Sequence, residues 1–452
     1  MSKGENIARL GFFIHDKVKR TQIVTVLKSL MESQYWSEDE MHQYRLLKLQ
    51  RLIDHAYNNV PYYRDLFTKN DIHPTDIKSL DDIKKIPVLT KEIARENQKR
   101  LLAENISMNN IKVGKTGGTT GAPLEIFKDT NDRSFAWASY YRWYSWLGIR
   151  KEEKVLTLWG TGRVIKIPLK NRIQDYLSTR LENNIVLDAF SMSNRNIDSY
   201  YQKVIKTDPV LLKGYFSALI MLAGYMKDNN LPPNKNLKAV CGTSETILPF
   251  HRELLQNTFK VPVYDQYGSG EASAIAYECP AHKGLHVNEE HVIVECLDIN
   301  GNTLIDAPGR VVVTALDNYI MPIIRYDNGD IASLYSGECT CGVKSHLMSH
   351  IDGRTFDVIT LKDGSKANGV FFSNLFYEVD ITTKMINRFQ VFQHKNGSVD
   401  FLLETTNGIP SSALERLRSS LQIFFDNFTI TQVPFIPSEE NGKFKYIKTE
   451  LP

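Results

Sequence analysis

Apolar residues recur at helical spacing over residues 37–70, where Leu46, Leu49, Ile53 and Ala56 share one face. Asn58-Asn59-Val60-Pro61 ends that pattern, because proline lacks an amide donor and disfavours a helical residue before it. From about residue 150, short apolar runs alternate with helical repeats. Strands are predicted at Lys154–Leu158, Ile185–Phe190, Val210–Lys213, Leu237–Cys241 and Val261–Tyr267, and helices over 216–229 and 249–259. This rhythm predicts a parallel sheet covered by helices, in which ligands bind at the carboxyl ends of strands. Thr243-Ser244-Glu245 and Tyr267–Glu271 occupy two such ends. Beyond about 285 the pattern turns β-rich, at His291–Leu297, Gly309–Leu316 and Ile331–Leu334. Near Gly353-Arg354 the chain is expected to enter a smaller domain. The expected fold class is α/β. A large N-terminal domain, 1–352, carries helix-covered mixed and parallel sheets plus a β-rich subdomain, and a small α+β domain spans 353–452.

Composition adds exclusions. The 452 residues suffice for two or three domains, and 42% hydrophobic with 24% charged residues is ordinary for a globular protein. A net charge of +3 without a dense Lys/Arg tract gives no argument for nucleic acid. The apolar runs are too short for a transmembrane segment. Leu10–Ile14 is too short for a signal-peptide core, so a cytoplasmic location is expected. Residues 7–31 are amphipathic and partly basic (Lys17, Lys19, Arg20, Lys28). They are expected to pack on their own domain rather than lie on a membrane.

Three segments carry candidate chemistry. Lys115-Thr116-Gly117-Gly118-Thr119-Thr120-Gly121-Ala122-Pro123 lies between two extended stretches. Its glycines permit close approach of backbone N–H groups to a phosphate, and its threonines add hydroxyl donors. Gly114-Lys115-Thr116 spells the end of a Walker A loop, but the glycine that motif needs five positions earlier is Asn109. An exposed Gly/Thr turn without a ligand is the simpler alternative. Tyr267-Gly268-Ser269-Gly270-Glu271 follows one predicted strand, and Arg325-Tyr326-Asp327-Asn328-Gly329-Asp330 ends another. The order and spacing of the three point to one chemistry: ATP held so that a carboxylate can attack its α-phosphate.

With these segments in place, the chain resembles the adenylate-forming ligases, in particular the branch of phenylacetate–CoA ligases and CapK-type capsular polysaccharide proteins. Asn59–Arg64 and Ile86–Lys91 resemble the branch's N-terminal signatures, and Pro322–Asp330 its ribose motif. The resemblance implies nucleotide contacts at Thr116, Gly117, Gly118, Thr119, Thr120, Gly121, Ser244, Glu245, Asp265, Tyr267, Gly268, Asp330 and the hinge residue Arg354. Tyr267 would stack on adenine, Asp265 would accept from its amine, and Asp330 would bind the ribose. Glu271 would hold Mg²⁺, a cation that prefers oxygen ligands. Lys443, in Asn441-Gly442-Lys443, would be the catalytic cation near the α-phosphate, with Lys445 and Lys448 close by. The chain departs from the family two residues after the hinge arginine, where Phe356 replaces an aspartate and the acid is Asp357.

A metal site is also expected. Cys339-Thr340-Cys341 is a tight pair, with Cys279, His282 and His286 upstream. Cys279, Cys339, Cys341 and one histidine would make a closed, structural zinc site. The resemblance prefers His286 over His282. The remaining cysteines are Cys241 and Cys296.

These readings imply a Mg-ATP-dependent ligase that converts a carboxylic acid to an acyl-AMP and passes the acyl group to a thiol, with coenzyme A the leading acceptor. The alternatives are an amide-forming ligase acting on an amino sugar or amino acid in surface-polysaccharide synthesis, and a nucleotide-binding protein without catalysis. Trp159, Tyr215 and Phe216 are candidate pocket walls or core residues. The acid and the oligomeric state, a homodimer included, are not readable from the residues.

Overall fold

The structure is a computed structural model. It describes residue 16 and residues 21–105, 111–115, 124–160, 183–193, 195–354, 358–379, 381, 385–405, 408–437, 439 and 444–451. The chain divides into two compact units, residues 1–152 with 266–350 and residues 153–265 with 351–452.

The first unit begins with α1 (Ile23–Ser33), α2 (Glu38–Asn59) and α3 (Pro61–Lys69). Ser37 caps α2, accepting from the Glu40 amide while the Glu40 carboxylate accepts from the Ser37 amide. Leu49, Leu52, Ile53 and Ala56 are fully buried, so the helical stripe in the sequence is the core face of α2. After α4 (Lys91–Glu96), β1 (Lys112–Lys115) pairs antiparallel with β2 (Glu125–Lys128), Lys115 opposite Glu125. Then α5 (Thr130–Trp146) starts at Asp129, whose carboxylate accepts from the amides of Asn131 and Asp132.

The chain then enters the second unit through β3 (Val155–Trp159), β4 (Asn184–Asp188), α6 (Ile197–Thr207), β5 (Leu211–Tyr215), α7 (Phe216–Asp228), β6 (Ala239–Thr243) and α8 (Pro249–Phe259). Strands β6, β5, β3 and β4 lie in that order, β5 pairing in parallel with β6 and β3, and β3 with β4. Helices α6, α7 and α8 cover this sheet, burying Leu219, Leu222, Leu255 and Phe259 against Leu156, Leu158 and Leu212. Every residue of β5 and β6 is buried, the signature of strands covered on both faces.

Strand β7 (Val263–Ser269) carries the chain back to the first unit. There it is followed by β8 (Ser273–Glu278), β9 (Leu285–Val287), β10 (Val292–Leu297), β11 (Gly309–Ala315), β12 (Tyr326–Ala332), β13 (Leu334–Tyr335) and β14 (Leu347–Met348). Strands β7, β8, β9, β14 and β13 pair antiparallel in that order, as do β10, β11 and β12. Buried ion pairs brace this unit, two of them made by arginines. Arg142 on α5 bonds both oxygens of Glu290, at 2.6 and 3.1 Å, and Glu290 also accepts from Ser33 of α1. Arg325 grips both oxygens of Glu295 at 2.9 Å and donates to the Ile86 carbonyl at 2.7 Å. Strand β12 begins at Tyr326 and runs through Asn328–Asp330. The left-handed φ of +73° that a turn needs is present at Gly329, but the strand runs through it.

The second unit closes with β15 (Gly353–Arg354), the hairpin of β16 (Ile359–Thr360) and β17 (Lys366–Ala367), α9 (Gly369–Glu378), β18 (Arg388–Gln393), β19 (Val399–Glu404), α10 (Ser411–Leu421), β20 (Phe428–Val433) and β21 (Ile447–Thr449). A sheet ordered β20-β19-β18-β21 packs on α9 and α10, with Phe372, Phe376, Phe389, Phe401 and Leu417 fully buried. Leu248 and Phe250 of the α8 region share that core. Next to them, His251 is fully buried, its Nε2 3.0 Å from the Asn387 carbonyl and its Nδ1 3.2 Å from the Tyr446 hydroxyl. Burial holds this imidazole down to about 3. The folded protein therefore stays neutral there, while the unfolded chain takes up a proton below about pH 6.5. Stability is lost as pH falls from 6.5 toward 3, by roughly 1.4 kcal/mol per pH unit from this group. Urea unfolding between pH 7 and 4.5 should show a slope about one proton steeper for the natural chain than for His251→Gln. Equal slopes would refute the assignment.

Among the described residues no helix is long and apolar enough to cross a membrane.

Candidate active site

The first unit brings two of the chemical motifs together. Tyr267 on β7 donates its hydroxyl proton to Asp330 Oδ2 on β12 at 2.7 Å, across 63 residues of sequence. Asn328 donates from Nδ2 both to the Tyr267 hydroxyl, at 2.5 Å, and to Asp330 Oδ2, at 3.1 Å. Just past β7, Glu271 accepts from the Tyr326 hydroxyl at 2.8 Å. Burial and the Glu271 charge push the Tyr326 phenol far above its usual range, so it remains a donor. Tyr267, Glu271 and Asp330 are 8%, 7% and 6% exposed: their polar ends are held by partners, not by bulk water.

The N-terminal signatures hold this motif in place. The Tyr63 hydroxyl donates to the Pro322 carbonyl at 3.0 Å and accepts from the Ile324 amide at 3.1 Å. Leu89 and Arg325 to Asp327 exchange backbone hydrogen bonds of 2.8 and 3.0 Å. The segment entering Asp330 is thus clamped by Tyr63, Leu89 and the Arg325–Glu295 pair. Arg325 is part of this clamp, with both faces of its guanidinium fork occupied by protein. Tyr326 and Asn328 had no role in the sequence reading. Once β12 is a strand, they alternate with Asp330 on one face, which is the signal that would have found them.

In the second unit, the carboxyl ends of β3, β5 and β6 present a different surface. Trp159 stacks on Tyr215 with ring centroids 4.7 Å apart, and Phe190 stacks on Tyr215 at 5.8 Å. Trp159 is partly open to solvent, whereas Phe216 is fully buried in the core. After β6, Ser244 is exposed and takes a left-handed φ of +68°, rare for a residue with a Cβ. That turn aims Glu245 back at α7. Its carboxylate accepts from the Ser217 amide at 2.6 Å, the Ser217 hydroxyl at 2.9 Å and the Phe444 amide at 3.0 Å. Asp265 is buried on β7, two positions before Tyr267. Gly268 is on the same strand, and Arg354 follows Gly353 in β15. The loop Thr116, Gly117, Gly118, Thr119, Thr120 and Gly121 lies outside the described residues, as do Phe356, Asp357 and Lys443.

A separate cluster lies in the first unit. Cys279, His286, Cys339 and Cys341 offer three sulfurs and one ring nitrogen within 4.8 Å of one another. Cys279 follows β8, His286 sits on β9, and the two other cysteines lie in the loop from β13 to β14. Gly284 (φ +139°) must be glycine, since a Cβ there would meet the Met348 carbonyl at 2.6 Å. The Cys279 and Cys339 sulfurs are 3.6 Å apart, and His286 Nε2 is 3.2 Å from Cys341. Ser345 holds the other ring nitrogen at 3.2 Å, which leaves Nε2 facing the sulfurs. Burial pushes the Cys279 thiol up and holds His286 down to about 4. The imidazole is therefore neutral, as a ligand must be, and a dication among the sulfurs would favour their thiolates. His282 instead pairs with Glu278 at 2.8 Å.

No family model matches the chain. The fold is that of the adenylate-forming ligases: the structure superposes on crystallographic 2-hydroxyisobutyryl-CoA ligase in the postadenylation state with 2-HIB-AMP, with a TM-score of 0.76 and 18% identity over 92% of this chain and 93% of that one. Its homologues include Protein CapK of Staphylococcus aureus, 23% identical over 407 residues, which are 88% of this chain and 87% of the relative. They also include phenylacetate-coenzyme A ligase of Pseudomonas putida, 25% identical over 372 residues, 80% of this chain and 81% of that enzyme.

Proposed function

We propose that this chain is an AMP-forming carboxylate ligase. In the first step a carboxylate oxygen attacks the α-phosphorus of ATP, the bond to the β-phosphate breaks, and pyrophosphate leaves. In the second, a thiol sulfur attacks the acyl carbon, its proton goes to solvent, and AMP leaves. Tyr267 provides the flat face for adenine, with Asp265 accepting from the adenine amine. Asp330 takes the ribose hydroxyls, oriented by Asn328. Glu271, fixed by Tyr326, is the carboxylate for Mg²⁺, which neutralises triphosphate charge. The loop 116–121 with its threonines binds phosphate, and Lys443 places positive charge where the transition state develops negative charge. The segment 353–452, pivoting near Arg354, moves between the two steps. Cys279, His286, Cys339 and Cys341 hold a structural Zn²⁺ that leaves no position for water.

The observation that carries this reading is the meeting of two distant motifs, Tyr267 with Asp330 and Glu271 with Tyr326, in one unit. Coenzyme A is the proposed acceptor, in keeping with the ligase relatives. The test is pyrophosphate release from Mg-ATP across a panel of acids, phenylacetate included, with coenzyme A, an amino sugar or no acceptor. Release with at least one acid, and thioester formed only with coenzyme A, is expected. Amide in place of thioester would overturn the acceptor. ATP binding without release for any acid would overturn the reaction.

A further inference from the structure

We infer that Glu245 is a positioning residue that latches the catalytic-lysine segment onto the carboxyl end of the parallel sheet for the first chemical step. The inference rests on the ligase reading and assigns Glu245 a role other than contact with the nucleotide. Its carboxylate joins two stretches remote in sequence. Oε2 accepts from the Ser217 amide, and Oε1 accepts from both the Ser217 hydroxyl and the Phe444 amide, 199 residues away. Ser217 is the second residue of α7, where unpaired amides and the helix dipole favour a negative charge. The carboxylate is therefore anchored at the helix and extends its other oxygen to the backbone directly after Lys443. The left-handed Ser244 beside it gives that placement a local backbone cost, as expected where an orientation is functional.

Among the described residues, other contacts near Phe444 come from within the C-terminal segment and from α8. The Arg388 guanidinium lies over the Phe444 ring at 4.8 Å. Gln390 donates to the Lys445 carbonyl at 2.8 Å, and the Tyr446 hydroxyl meets His251. Glu245 differs from all of these in linking the Lys443 segment to the strand end that also bears Trp159 and Tyr215. When the acyl group is passed on, this charged contact is the one to break.

The test compares the full-length natural chain, Glu245→Gln, Lys443→Ala and the double variant. A glutamine keeps the shape but replaces one of the two accepting oxygens with a donor, so either Ser217 or Phe444 loses its partner. Trypsin cleavage after Lys443, read by mass spectrometry, needs no substrate. It should be on the order of tenfold faster in Glu245→Gln, the scale of one charge-assisted hydrogen bond. With the acid that the panel identifies, pyrophosphate release should fall on the order of tenfold to a hundredfold in kcat. Acyl transfer to coenzyme A from the synthetic acyl-adenylate should stay within about twofold. Glu245→Gln should add nothing in the Lys443→Ala background, because it acts through that lysine. Unchanged cleavage overturns the latch whether or not the protein is a ligase. Equal losses in both half-reactions, a rise in the acid's KM alone, or additivity with Lys443→Ala also overturn it. A natural chain with no activity on any acid sinks the ligase reading and leaves the cleavage result to decide the contact.

Discussion

Replacing Glu271 by glutamine should slow acid-dependent pyrophosphate release on the order of a hundredfold or more, with the fold intact. A carboxylate that is 7% exposed is costly to keep unless it is paired or meets a cation. The Tyr326 hydroxyl satisfies one oxygen, and fixes the orientation of the other. Glutamine preserves the volume and an acceptor for Tyr326 but removes the charge that a hard dication requires. The loss should therefore lessen at high Mg²⁺, and the apparent Mg²⁺ affinity should weaken in step. Tyr326→Phe keeps the charge and loosens its aim, so about a tenfold loss is expected, the scale of one hydrogen bond to a charged group. Full activity in Glu271→Gln at low Mg²⁺ would remove Glu271 from the site.

The second large effect concerns the sulfur cluster. The purified protein should carry about one zinc per chain, as a closed Cys₃His site demands. Cys279→Ser should lose that metal and melt about 10 °C lower, because zinc affinity appears as folding free energy. Cys241→Ser and Cys296→Ser, on β6 and β10 and outside the set of four, should keep the metal. A strong chelator should lower the melting temperature of the natural chain and leave Cys279→Ser unmoved. That non-additivity separates loss of zinc from the ordinary cost of a polar hydroxyl in a buried place. Metal-free natural protein with an unchanged melting temperature would refute the site.

The periodic parts of the fold were legible in the sequence. The four strands and two helices expected between Lys154 and Phe259 lie within two residues of their expected limits, whereas helix α6 was not expected, since burial at period 2 or 3.6 writes itself into the sequence only where it is regular. The limits of β12 were less legible, because Asn-Gly is a common local signal for a turn and only pairing with β11 shows that the strand runs through it. The residues that position the site were less legible still. Tyr63 looks like any aromatic in a helix, yet its hydroxyl braces Pro322 and Ile324 from about 260 positions away. Glu245 reads as one of a pair of polar residues after a strand, and its tie to Phe444 depends on a chain direction that no local pattern encodes. Long-range polar contacts have no period, so they emerge only once the backbone is placed.

The first unit is built from two separated stretches of sequence, which bears on how the chain is made. Ser33 and Arg142 find their common partner, Glu290, only after the 113 residues of the intervening stretch, 153–265, have been synthesised. At about 5–20 residues per second, α1 and α5 must wait on the order of ten seconds for the carboxylate that joins them. Nascent chains halted before residue 290 should bind chaperones more strongly than those halted after residue 350.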